Sequence, residues 1–146
     1  MEIEIRSPGT DLEWENYYNL RYRILRQPWG QQKGSERNEG DATGIHLALF
    51  EYDSIKAIAR LDISGVDEGQ VRFVAVEINN QGKGFGRRIM KEAESISISR
   101  GDTQMILHAR EVAVDFYKNQ GYQILEKSHL LFERIQHYWV NGQKVG

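Results

Sequence analysis

The stretch "AVEINNQGKGFGRRIMKEAE", residues 75–94, carries glycines at 82, 84 and 86, where an apolar run gives way to a charged one. Glycine at alternate positions leaves the backbone bare, so another molecule can come close to it. With a strand ending near Glu77 and a helix opening near Gly84, the first helical amides lack intrahelical acceptors and sit at the positive end of the dipole. A phosphate suits such N–H groups, and Lys83, Arg87 and Arg88 add positive charge. The plainer alternative is a glycine turn ahead of an ordinary basic-faced helix. Two phosphate motifs are excluded. No G-x-x-x-x-G-K-[ST] occurs, and a G-x-G-x-x-G read from Gly82 ends on Arg87.

Other chemistries are bounded by what the chain lacks. It has no cysteine, which excludes disulfides, thiolate metal sites and a cysteine nucleophile, and fits a reducing, cytoplasmic setting. The four histidines, at 46, 108, 129 and 137, show no helical ligand spacing, so no metal is expected. A formal charge of -2 gives no basic footprint for nucleic acid. "MEIEIRS" reads as neither signal peptide nor span, and no later apolar run is long enough to cross a bilayer, so no membrane partner is expected. At 146 residues one domain, residues 1–146, is the simplest organisation.

The elements that must position the glycines follow from periodicity. "EIEIR" alternates as a strand. "TDLE" offers a capping box, Thr10 with Glu13, ahead of a helix carrying Trp14, Tyr17, Tyr18 and Leu25 and ending before Pro28. Residues 27–44 are polar and glycine-rich, a loop long enough to be either functional or disordered. "HLALFEY", "AIARLDI" and "VRFVAVE" read as three strands. Beyond the glycines, Phe85, Ile89, Ala93 and Ile96 fall at helical spacing. "TQMILHA" is a strand, "EVAVDFYKNQG" a helix capped at Gly121, and "YQIL" and "RIQHYWV" are closing strands. The order β-α-βββ-α-β-α-ββ predicts an α/β (α+β) fold with a mixed sheet covered by helices.

"VAVEINNQGKGFGRRIM" resembles the acetyl-CoA-binding motif of the GCN5-related N-acetyltransferases (GNAT), [RQ]-x-x-G-x-[GA], filled here by Gln81, Gly84 and Gly86. "LHAREVAVDFYKNQGY" is similar to the family's later strand–helix block, with its Phe116-Tyr117 and Gly121-Tyr122 pairs. "LRYRILRQPWG" and "ERIQHYWV" further resemble the ElaA-like branch, although Arg134-Ile135-Gln136-His137 stands where that branch often has Gly-Ile-Pro-His.

The resemblance implies a mostly antiparallel sheet, splayed at a cofactor groove beside the strand of Val74, Ala75 and Val76, and acetyl-CoA as cosubstrate. Pantetheine would pair with the splayed edge as an added strand does, and the turn from Gly82 through Lys83, Gly84 and Phe85 to Gly86, with Gln81 and Arg87, would hold the pyrophosphate. Arg110 stands where many relatives have asparagine and is a further cofactor candidate. The resemblance assigns to Tyr117 the proton for the departing thiolate; the alternative is a core tyrosine, with Phe116 facing the core beside it. His137 is the first choice for the base that deprotonates the amine, with His108, Glu133 and Glu77 as alternatives. The expected activity is acetyl transfer to a primary amine, of a small molecule or a peptide, by a monomer or homodimer. The loop of Trp29, Glu36, Glu39 and Asp41 is a candidate wall of the acceptor pocket. The rival readings are a CoA-sensing module with little catalysis and a phosphate-binding domain unrelated to CoA.

Overall fold

The computed structural model describes residues 2–131 and 135–143, with side chains as far as residue 123 except at 111. Strand β1 (Ile3–Arg6) leads into helix α1 (Asp11–Leu25), whose N-terminus is closed by the predicted capping box. Glu13 N–H donates to Thr10 Oγ1 at 3.1 Å, and Thr10 N–H donates to the Glu13 carboxylate at 3.3 Å. The polar loop that follows is built from two short 3-10 turns, Gln27–Trp29 and Glu39–Ala42. Strands β2 (Ile45–Glu51), β3 (Ser54–Gly65) and β4 (Glu68–Val76) form an antiparallel meander. After the glycine turn come α2 (Phe85–Ser99), β5 (Gln104–Arg110), the short α3 (Val114–Lys118), β6 (Tyr122–Leu131) and β7 (Ile135–Gln143). The predicted element order holds throughout. The last predicted helix is shorter than its pattern, because residues 111–113 form a separate 3-10 turn.

The seven strands make one sheet in the order β1-β2-β3-β4-β5-β7-β6, in which β4 and β5 are the parallel pair. Both faces are covered, which is why β2 reads as a continuous apolar run rather than an alternating one. Leu47 and Leu49 join Ile89, Met90, Met105 and Leu107 under α2, whereas Ala48 and Phe50 pack with Tyr17 and Leu20 of α1. No helix among the described residues is long and apolar enough to cross a membrane.

The sheet is split. β4 and β5 pair at Glu68–Gln104, Gly69–Met105 and Gln70–Ile106 and then part, although β4 runs on to Val76 and β5 to Arg110. A bulge in β4 falls just beyond the last rung. Ile58 pairs with Ala75 and Arg60 with Arg72, so Phe73 and Val74 together oppose Ala59. Phe73 has φ +57°, a left-handed conformation that side chains rarely adopt. Such a bulge bends its strand and increases the local twist, and here it turns β4 away from β5.

Candidate active site

Where β4 and β5 part, a cleft of about 240 Å³ opens between Arg72, Phe73 and Val74 on one strand and Leu107, His108 and Arg110 on the other. Leu25, Arg26 and Asn38 bound it on the α1 face of the sheet, and Ala113 and Tyr117 bound it on the α2 face. Side chains alternate along β5. Met105, Leu107 and Ala109 are buried under α2, so Ile106, His108 and Arg110 turn toward α1.

The glycine turn follows the end of β4 and opens α2, and its three glycines answer to two different physical demands. Gly82 and Gly84 have φ of +85° and +83°, and a Cβ built on either would meet nothing within 4 Å. They are needed for the left-handed backbone, and the space before them is open. Gly86 lies in the helix instead. A Cβ there would come within 3.2 Å of Phe116 and 3.4 Å of Val76, so its bareness lets α2 pack closely. This differs from the expectation that all three glycines admit a ligand.

Gly84 is the N-cap of α2 and offers no side-chain cap. The first helical bond is Arg88 N–H to the Gly84 carbonyl, at 3.0 Å. Among the described residues, the amides from Gly82 to Arg87 have no acceptor. Gln81 ties the turn to the strand by donating from Nε2 to the Val76 carbonyl at 3.2 Å. Lys83 and Arg87 are exposed at the turn, whereas the Phe85 side chain is core and presents only its backbone. Val74 lines the cleft, Val76 packs under α2, and Ala75 is buried against α1. Arg110 lines the cleft, where its charge reaches Tyr117.

Of the two aromatic neighbours on α3, Tyr117 faces the cleft as expected, but Phe116 does not face the core. Phe116 is 36 % exposed and covers Gly86, whereas Tyr117 is 6 % exposed and lines the cleft. The helix is so short that the residue facing the sheet is fixed by where β5 ends, not by a long apolar stripe. The Tyr117 ring packs edge-on to Phe116 and Tyr122, and its hydroxyl has no hydrogen-bond partner among the described residues. Burial raises its pKa above the ordinary phenol value, against the opposing charge of Arg110. It is therefore protonated throughout the neutral range.

The candidate bases fare differently. Glu77 is held by Arg23 through bonds of 2.6 and 3.2 Å, which keep its pKa below the usual carboxylate value and make it a weak base. His108 lines the cleft. His137 pairs through its backbone with Arg110, at the open end of the split; its side chain lies outside the described residues, as does all of Glu133.

The long polar loop is pinned by a charge network that the sequence did not disclose. Arg21 of α1 and Arg60 of β3 have no exposed surface, and both donate to Asp41 Oδ1, at 2.8 and 2.7 Å. Arg60 also pairs with Asp62 at 2.7 Å. His46 Nε2 donates to the Asp41 carbonyl, so its Nδ1 accepts from the Tyr17 hydroxyl, each at 2.8 Å. Burial first, and then the nearby arginines, lower the His46 pKa and keep the ring neutral. Of this loop Asn38 reaches the cleft; Trp29, Glu36, Glu39 and Asp41 do not line it. Sequence reasoning passed over Arg26, Arg72 and Phe73. The available signal was on β5, where the alternation of Leu107 and Ala109 with His108 and Arg110 puts polar residues on one face of an interior strand.

Among known proteins, the family model described as "Acetyltransferase (GNAT) domain" matches residues 43–124. The uncharacterised N-acetyltransferase YjcF of Bacillus subtilis strain 168 is 33 % identical over 69 residues, 47 % of this chain and 49 % of that protein. The match thus spans about half the length of that relative. A Lactobacillus plantarum structure described as an N-acetyltransferase superposes with a TM-score of 0.84 at 19 % identity, covering 99 % of this chain and 98 % of that one. An aminoglycoside 6'-N-acetyltransferase complexed with coenzyme A superposes with a TM-score of 0.82 at 15 % identity, covering 100 % and 98 %.

Proposed function

The chain belongs to the GNAT acetyltransferase family, and from that premise we propose that it transfers an acetyl group from acetyl-CoA to a primary amine by direct attack. The observation that carries the reading is the split between β4 and β5, opening toward a turn with unpartnered amides. The residues present fit acetyl-CoA. The open space before Gly82 and Gly84 suits a pyrophosphate, and the free edges beyond Gln70 and Ile106 suit the pantetheine amides. The coenzyme-A complex of a protein with the same fold supports this choice. Acetyl-CoA supplies the activated acyl group; the chain supplies position and protons.

In this reading the amides from Gly82 to Gly86 hold the pyrophosphate, with Lys83 and Arg87 adding charge at the rim. Gln81 keeps the turn attached to β4. An N–H of the edge formed by Val74, Ala75 and Val76 hydrogen-bonds the acyl oxygen, where preorganised donors act most strongly as charge develops. Tyr117 holds a proton on its hydroxyl and delivers it to the departing thiolate. His137 accepts the proton that the amine must lose. Steady release of free CoA thiol with a panel of primary amines tests the activity. Tight CoA binding without turnover of any amine would instead favour a sensor.

Gly84→Val is expected to strain the turn and to fill the space before it. A β-branched residue at this φ costs about 1–3 kcal/mol of stability, and each lost amide–phosphate bond weakens CoA affinity about tenfold or more. Calorimetric titration with CoA checks this; unchanged affinity would place the anion site elsewhere.

For His137→Ala the expected loss in kcat/KM is largest at low pH, where unprotonated amine is scarcest and a base is most needed. Activity should recover toward wild type as the pH nears the pKa of the amine. A loss that is uniform in pH would mark a positioning role.

A further inference from the structure

The α1 face of the cleft is crowded with positive charge. Around the Phe73 ring lie the guanidinium groups of Arg21 at 4.2 Å, Arg60 at 4.9 Å, Arg26 at 5.6 Å and Arg72 at 5.8 Å. Arg21 and Arg60 are compensated by Asp41 and Asp62. The other nearby carboxylates are committed as well. Glu36 accepts from Arg37 and from the Gly34 amide, and Glu77 is taken by Arg23. Arg72 and Arg110, both lining the cleft, have no carboxylate partner among the described residues. Arg26, the C-cap of α1, also lines the cleft and donates to the Ser35 and Leu25 carbonyls. Burial, and then the charge of Arg21, lower its pKa; Glu36 opposes them, and the smaller effects of Arg110 and Arg72 show that these cations feel one another.

A cleft in which Arg72 and Arg110 have no carboxylate partner among the described residues favours an anion and repels a cation. Guanidinium groups match carboxylate and phosphate in particular, through paired N–H donors. The glycine turn opens α2, which packs on the other face of the sheet from α1, so this charge is not required for the pyrophosphate. With acetyl-CoA bound, the cleft of about 240 Å³ also takes the end of the pantetheine, so the space left for an acceptor is small. Resting on the acetyltransferase reading, we propose that the acceptor is a small primary amine bearing a carboxylate or phosphate group, which Arg72 and Arg110 grip while Arg26 reinforces the field. Polyamines and other polycations are then poor acceptors, because their second amine meets like charge.

Matched acceptors test this with the intact protein and acetyl-CoA: phosphoethanolamine against ethanolamine, and β-alanine against β-alaninamide, with spermidine as the polycation. The expected result is a preference of about tenfold or more in kcat/KM for the anionic member of a pair, the worth of one charge-assisted contact. The pair with the larger ratio identifies phosphate or carboxylate as the group. Arg72→Gln and Arg110→Gln should each lower that ratio toward unity, mainly by raising the KM of the anionic acceptor. A ratio near one in wild type, a ratio unmoved in both variants, or spermidine as the best acceptor would overturn the proposal and leave the transferase reading intact. CoA release with none of these amines would sink that reading and the proposal with it.

Discussion

Tyr117→Phe is expected to lower kcat about 10²-fold, the low end for general acid–base catalysis, with little change in thermal stability or CoA affinity. The ring contacts with Phe116 and Tyr122 persist in the variant, and the deleted hydroxyl has no partner among the described residues to leave unsatisfied. What disappears is the proton donor facing the cleft. A thiolate leaving group with a reference pKa near 8.5 departs more readily when protonated. Because burial holds the phenol above its ordinary pKa, no loss of acid function from Tyr117 is expected on the alkaline side of neutrality. Steady-state kinetics beside a melting curve separates the outcomes. Wild-type turnover in the variant removes the acid assignment, and unfolding identifies a core residue.

Asp41→Ala is expected to destabilise the fold by about 3–5 kcal/mol, the usual penalty for removing one partner of a buried ion pair. The substitution leaves Arg21 without its carboxylate and Arg60 with Asp62 alone. It also removes the acceptor for the Asn38 amide at the start of the second loop turn. Urea denaturation measures the loss, and its pH dependence carries a signature. Burial pushes the Asp41 pKa up, but the bonds from Arg21, Arg60 and the Asn38 amide outweigh it and leave the group below its ordinary value. The stability it contributes is therefore present above the unfolded aspartate pKa and is lost as the pH falls through the lower, folded one. The variant should lack that acid-limb contribution. A stability within about 0.5 kcal/mol of wild type would show that the network is not what holds the loop.

Much of the fold was legible because its determinants are local. The capping box at Thr10, the alternation in "EIEIR" and the helical spacing of Phe85, Ile89 and Ala93 each name an element without reference to the others. The glycine turn was legible for the same reason. Arg60 was not, since in "AIARLDI" an arginine between apolar residues reads as the solvent face of a strand; its burial depends on Asp41, nineteen residues away. The bulge at Phe73 carries no sequence mark, because a left-handed residue is ordinarily announced by glycine or asparagine. It is held by arginines of α1 and β3 that pack against its ring. The misplacement of Phe116 has a similar origin: a five-residue helix has too little periodicity to say which side faces in.

The three rungs between β4 and β5 also bear on how the chain is assembled. β1 to β4 make their sheet bonds among themselves, and β5 to β7 do likewise. Among the described residues these rungs, with the Thr103 and Gln104 amides on the Asp67 carbonyl, join the two groups. Parallel pairing across a crossover helix requires a long loop to close before any contact rewards it, and here few contacts wait on that closure. The early loss of pairing therefore divides the sheet into two folding units of nearly local connectivity, which α2 and its apolar face bind together.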